Sequence, residues 1–167
     1  MGLVVDPAPE HEYMRGRLSI PSLVPRGGPM SCKFRCLRRH DCKTADCPKY
    51  LGAEGAGAHP YNVLALRADS PVIGITEGEL DAVIATEAGI PSVAIPGVKA
   101  WRSHYAYMLE GFARVLVFGD ADGAGKQFAE RLVEDIHGSR AIHFPDGHDV
   151  SSFVAEHGAD ALRERCS

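Results

Sequence analysis

Arg114-Val115-Leu116-Val117-Phe118-Gly119-Asp120-Ala121-Asp122-Gly123-Ala124-Gly125 passes from an unbroken apolar, β-branched run into a turn of glycines and aspartates. An apolar run without polar alternation is a strand buried on both faces, which predicts 114–119 in the middle of a parallel sheet. Working outward, residues 125–137 read as a helix, 141–144 as a strand, 145–147 as a turn and 150–165 as a helical tail. Upstream, Val72-Ile73-Gly74-Ile75-Thr76 is a second β-branched run, followed by Leu80, Val83, Ile84 and Ala88 at helical spacing with Gly89 as the stop. Residues 92–95 read as the next strand, Pro96-Gly97 as a turn and 101–109 as a further helix. Strands that alternate with helices predict an α/β fold, a mainly parallel central sheet flanked by helices.

The remaining sequence is different in kind. Residues 15–66 hold short strand-like runs at 16–20 and 30–36, many Gly and Pro, and no helical period, which predicts a small, mostly β subdomain. The expected organisation is an N-terminal extension at 1–14, the small subdomain at 15–66 and the α/β domain at 67–167, with the Gly/Ala run 52–58 as linker. A chain of 167 residues, 45% apolar, suffices for one ordinary domain with such an appendage. The net charge of -4 conceals a partition: residues 15–50 carry nine Lys/Arg against Asp41 and Asp46, a balance of +7, while the rest is acidic. A basic block beside an acidic body suits a protein that holds a polyanion with one surface and cations with another, although charge runs are also simply solvated faces. No apolar stretch approaches the ~20 residues that cross a bilayer, and the first residues form no signal peptide, so the expected location is cytoplasmic, without a membrane partner.

Acidic groups follow three of the expected strands, where open α/β sheets place their ligands. Glu77 ends the 72–76 strand and Asp81 lies one helical turn on, so both carboxylates can face one point. Asp120 and Asp122 follow the central strand, with glycines that let backbone N–H groups approach a phosphate. Asp146 and Asp149 follow the last strand in Pro145-Asp146-Gly147-His148-Asp149. Carboxylates gathered in this way repel unless cations neutralise them, and hard oxygen donors call for Mg²⁺ or Mn²⁺. Such ions polarise phosphoryl oxygens and stabilise a leaving group, the logic of metal-assisted nucleotidyl transfer. Each of these residues taken alone can also be a helix cap.

Glu77-Gly78-x-x-Asp81 after one strand and Asp120-x-Asp122-x-Ala124-Gly125 after another resemble the Toprim domain shared by DnaG-type primases, topoisomerases and some nucleases. With Pro145-Asp146-Gly147-x-Asp149, the pattern is most similar to the primases, over roughly residues 70–157. Gly16-Arg17-Leu18-Ser19-Ile20-Pro21, Phe34-Arg35 and Pro48-Lys49-Tyr50-Leu51 resemble the primase subdomain that precedes Toprim and forms a basic ridge. The resemblance implies a nucleotidyltransferase of (phage) DNA replication, a DNA primase core that joins ribonucleoside triphosphates on a single-stranded DNA template. It implies Glu77, Asp120, Asp122 and Asp149 as metal ligands, with Asp81 in support and Glu77 as a candidate proton acceptor. It implies Arg35 and Lys49 at template or nucleotide phosphate with Tyr50 beside them and Arg38 and Arg39 as neighbouring basic residues; Lys126, just after Asp122-Gly123-Ala124-Gly125, reads either as a further triphosphate contact or as simply exposed. Departures are Val150-Ser151, where the family usually has Pro and Asp, and Gly52 where Asn is common. The chain is expected to lack the zinc-ribbon module and the helicase part, leaving a separate zinc-ribbon protein and a replicative helicase as possible partners, as a small phage genome with split replication genes encodes. The rival readings are a metal-dependent Toprim nuclease and a non-catalytic nucleic-acid-binding accessory subunit.

Cys32, Cys36, Cys42 and Cys47, with His40 among them, spell C-x3-C-x3-H-x-C-x4-C. In a reducing compartment such clustering favours Zn²⁺ over disulfides, drawing on three or four cysteines with His40 as a substitute; ordinary reduced thiols are the alternative. Trp101 reads either as a base-stacking platform or as core.

Overall fold

The computed structural model describes residues 1–52 and 57–167, so most of the linker read at 52–58 lies outside the described residues. Backbone contacts divide the chain into two units, Met1–Gly57 and Ala58–Ser167.

The first unit is an antiparallel sheet of β1 (Gly2–Leu3), β2 (Leu18–Leu23), β3 (Pro29–Arg35) and β4 (Tyr50–Gly52), in that spatial order. Residues 2–3 therefore join the sheet by pairing with Ser19 and Leu18. The β2–β3 hairpin turns through Gly27 at φ 86°, a left-handed conformation that glycine adopts without a steric penalty. Its interior is slight: among the described residues of this unit, Ile20 is the one apolar side chain that is buried.

The second unit is the expected α/β layer. Strands β5 (Val72–Thr76), β6 (Ser92–Ala94), β7 (Arg114–Gly119) and β8 (Ser139–His143) form a wholly parallel sheet in the order β6-β5-β7-β8. Helices α1 (Glu79–Glu87), α2 (Gly123–Asp135) and α3 (Val150–Arg165) cover it. β7 is interior, and its side chains divide between two cores. Val115 and Val117 pack with Phe128, Ala129, Leu132 and Ile136, while Leu116 and Phe118 pack with Ala85, Val150, Phe153 and Leu162. That two-sided burial is why the strand has no polar alternation; fully buried side chains of this size stabilise by about 1.5–3 kcal/mol each. Gly74 on β5 makes room for it, since a Cβ there would stand 2.7 Å from the Phe118 ring.

Residues 58–66 lie with this second unit, because Tyr61 bridges Ala94 and the Asn62 amide donates to Ser92 O at 2.8 Å. The helix expected at 101–109 is instead two short 3₁₀ segments, Val98–Ala100 and Ser103–Leu109. The tighter winding turns Ala100, Trp101 and Leu109 into the core, and Ser103 Oγ donates to the Asp135 carboxylate at 3.0 Å. α3 starts where the sequence places it but breaks at Gly158, whose φ of 84° leaves the helical region. Among the described residues, no helix is long and apolar enough to cross a membrane.

Candidate functional site

The acidic residues sit at the C-terminal ends of the parallel strands. Glu77 leaves β5, and Gly78 caps α1 so that Asp81 falls in the first turn, buried. A Cβ at Gly78 would collide with Asp81 Oδ2, so a side chain here would have to displace that carboxylate. Asp81 Oδ1 accepts two hydrogen bonds from the start of α3, from Ser151 N at 2.9 Å and Ser151 Oγ at 2.6 Å.

Asp120 leaves β7 against the first turn of α2. A Cβ on Gly125 would stand 2.5 Å from Asp120 N and 2.7 Å from its Cα, and one on Gly119 would stand 2.6 Å from Gly125 O. The two glycines thus let the helix start touch the strand end. Asp122 caps α2, accepting from Gly125 N at 2.7 Å. Asp149 caps α3 in a reciprocal box with Ser152: Ser152 N donates to its carboxylate at 2.7 Å and Asp149 N donates to Ser152 Oγ at 3.0 Å. Asp120, Asp122, Asp146, His148 and Asp149 line an open cleft of about 400 Å³.

These carboxylates act on one another. Burial first, then the charges of Asp81, Asp149, Glu77 and Asp122, push Asp120 up to about 7. Glu77 is also raised above the ordinary carboxylate range, by burial and then by Asp122 and Asp81. Every charge that raises Asp120 is thus another carboxylate of the set read from the sequence, and that set shares one electrostatic field. Among the described residues their oxygens do not close to within 4.8 Å of one another as a group of three, because Asp122, Asp149 and Asp81 are turned toward their backbone and serine donors. The cap reading therefore holds for Asp122 and Asp149, two of the side chains that the sequence also offers as metal ligands.

The spacing rules missed Ser151, noted only as a departure, which engages the buried Asp81. They also missed His148, beside Glu156 and His157 with ring nitrogens 3.6 and 3.9 Å from the Glu156 carboxylate. Only a through-space view pairs residues 81 and 151. Trp101 is core: it is buried, lies edge-on to Tyr105, and its Nε1 donates to Asp135 Oδ2 at 2.7 Å. Lys126 is exposed on the first turn of α2.

In the first unit, Arg35 and Tyr50 are register partners across β3 and β4; the guanidinium lies 5.7 Å from the ring centroid and donates to Tyr50 Oη at 3.3 Å. Lys49, Arg38 and Arg39 are exposed. Arg35, Arg38, Lys43 and Lys49 line a cavity of about 630 Å³ together with Cys36, Cys42 and Cys47. Cys36, His40, Cys42 and Cys47 bring their ligand atoms within 4.8 Å of one another. Cys32 does not join them; it lies in β3 opposite Pro21, its thiol donating to Lys33 O at 3.5 Å. The Cys36 thiol is pulled down, by the Arg38 backbone donor above all, and Cys42 is pushed up by desolvation and by its two sulfur neighbours.

A family model described as Toprim-like matches residues 74–154, the span from mid-β5 into α3. The Gene 57 protein of Mycobacterium phage D29 is 39% identical over 118 residues, covering 71% of this chain and 78% of that protein. A DNA primase of Pasteurella multocida is 29% identical over 133 residues, covering 70% of this chain and 23% of that protein. Among solved structures, a DNA primase domain from Pseudomonas aeruginosa superposes with a TM-score of 0.73 at 27% identity, over 90% of this chain and 50% of that one. The chain thus spans about half of the solved primase domain that it matches.

Proposed function

The chain belongs to the Toprim-like family with the fold of DnaG-type primase catalytic cores, and from that premise we propose that it is a primase core. It joins ribonucleoside triphosphates into short RNA primers on single-stranded DNA during phage DNA replication, in the host cytoplasm. One observation carries the reading: Asp120 is raised to about 7 by burial and by four other carboxylates. Such a field is costly in the protein alone and is relieved by hard divalent cations.

The donor set fits that role by its chemistry, since it consists of carboxylate oxygens, and Asp120, Asp122 and Asp149 among them line an open cleft. Glu77, Asp120, Asp122 and Asp149 would hold Mg²⁺ or Mn²⁺, which when bound neutralises triphosphate charge and polarises the phosphoryl group under attack. Glu77, at the end of β5, is also the proton acceptor that this reading assigns to the attacking 3′-hydroxyl. Asp81, bonded to Ser151, holds the starts of α1 and α3 together and so sets the positions of Glu77 and Asp149. In the first unit, Arg35, Arg38, Arg39 and Lys49 bind phosphates of template or nucleotide, and Tyr50 steadies Arg35; Lys126 adds a charge at the start of α2. A replicative helicase and a separate zinc-ribbon protein are the partners this reading assigns.

The test is to incubate the chain with single-stranded DNA, labelled ribonucleotides and Mg²⁺ or Mn²⁺, beside Glu77→Gln. Short RNA products that vanish in the variant support the proposal. Metal-dependent strand cleavage without synthesis refutes it in favour of a nuclease. DNA binding with neither activity, indifferent to Glu77→Gln and to an added zinc-ribbon partner, refutes it in favour of an accessory subunit.

A further inference from the structure

The first unit lacks the usual means of holding a long loop in place. Among its described residues only Ile20 is a buried apolar side chain, and the stretch 36–49 between β3 and β4 contains neither helix nor strand. Leu37, its one large aliphatic residue, is 51% exposed. A loop of this length in a small β unit needs a staple other than a core. Its backbone nevertheless takes a defined course: Cys36 N donates to Lys49 O at 2.9 Å at the base, and Cys47 N donates to Cys42 O at 3.0 Å within it.

We propose that Cys36, His40, Cys42 and Cys47 bind one Zn²⁺ in a closed, structural tetrahedral site that holds the loop 36–49, and with it the basic residues Arg38, Arg39, Lys43 and Lys49. The distances are those of tetrahedron edges. With Zn–S near 2.3 Å and Zn–N near 2.05 Å, tetrahedral angles place two sulfurs about 3.8 Å apart and a sulfur and a nitrogen about 3.6 Å apart. Cys36 Sγ and Cys47 Sγ are 3.7 Å apart, and Cys36 Sγ and His40 Nε2 are 3.6 Å apart. A disulfide would require about 2.05 Å. All four donor atoms lie within 4.8 Å of one another.

The surroundings suit a thiolate-rich ion. Three thiolates and a neutral imidazole around Zn²⁺ carry a net charge of about -1. The buried guanidinium of Arg17 faces it, with Nη2 donating to Cys47 Sγ at 3.4 Å and Nη1 to the adjacent Pro48 O at 2.8 Å. Such outer donors to ligand sulfur orient and stabilise a metal site. Four protein donors leave no open position for substrate, so the ion is structural rather than catalytic. The inference stands whether or not the chain makes primers.

Elemental analysis of the full chain, purified without chelator, should find about one zinc per chain. Cys42→Ser and Cys47→Ser should lose it, whereas Cys32→Ser and Cys166→Ser should keep it, as should His40→Cys, which replaces one ligand with another. Because a ligand variant can fail by misfolding, the wild-type chain exchanged with Co²⁺ gives a second readout: intense visible d–d bands with thiolate charge transfer report tetrahedral sulfur-rich coordination. In limited trypsin digestion the zinc-loaded chain should resist cleavage after Arg38, Arg39 and Lys43 and become cleavable there once the metal is stripped. Zinc near zero, zinc retained in Cys42→Ser, zinc lost in Cys32→Ser, a weak octahedral Co²⁺ spectrum, or cleavage unaffected by stripping would each overturn the proposal.

Discussion

Replacing Asp120 by Asn should stabilise the protein at neutral pH when no divalent cation is supplied to the acidic cleft. In the folded chain the carboxyl is raised from the ordinary 3.8 to about 7. A group held up in this way is protonated in the folded state and ionised in the unfolded state between those two values. Its penalty is therefore absent below about pH 4, grows as pH rises, and is complete above about pH 7. At full strength the rise is worth about 4 kcal/mol, and because Asp120 is only half-buried, solvent screening reduces this to about 2 kcal/mol. For a chain of this size that is a Tm difference of about 4–8 °C between Asp120→Asn and wild type at pH 8. The assay is thermal unfolding from pH 4 to 8 without chelator, so that the cysteine cluster is untouched, with and without Mg²⁺ or Mn²⁺. The gap between variant and wild type should open between about pH 4 and 7, and the cation should narrow it by stabilising wild type more than the variant, which keeps three of the four assigned ligands. A pH-independent gap, or a wild type more stable than the variant at pH 8 without added cation, would refute the reasoning.

Gly125→Ala forces a Cβ against the backbone of Asp120 and should destabilise by about 1–3 kcal/mol in urea unfolding, whereas a variant within about 0.5 kcal/mol of wild type would mean the helix start can retreat from the strand end. Ser151→Ala removes the hydroxyl donor to the buried Asp81 and should cost about 1.5–3 kcal/mol, checked by the same unfolding curves; an unchanged midpoint would show the bond to be dispensable. If the loop cations meet single-stranded DNA, Arg38→Ala and Lys49→Ala should each reduce the slope of log affinity against log salt by about 0.7, measured by fluorescence anisotropy, and unchanged slopes would place the DNA elsewhere.

Much of the fold is legible because its signals are local. The apolar run at 114–119 marks an interior parallel strand through composition alone, and α2 and α3 begin at Asp122 and Asp149, residue types that cap helices. The segment 101–109 misleads for the same reason: apolar spacing alone does not distinguish a helix of period 3.6 from 3₁₀ segments wound tighter to bring Ala100, Trp101 and Leu109 inward.

By itself the sequence determined the alternation of strands and helices in the α/β unit apart from 98–109, that acidic side chains follow β5, β7 and β8, and that basic charge is concentrated in residues 15–50. All of this follows from neighbours one to four positions apart, whose geometry the backbone repeats impose. The tertiary structure decided the strand order β6-β5-β7-β8, the bond from Ser151 to Asp81, the coupling that raises Asp120, and the choice of Cys36, Cys42 and Cys47 with His40 over Cys32. Each is a through-space relation between atoms whose separation along the chain sets no distance, so it exists only once strands have paired and the loop 36–49 has closed.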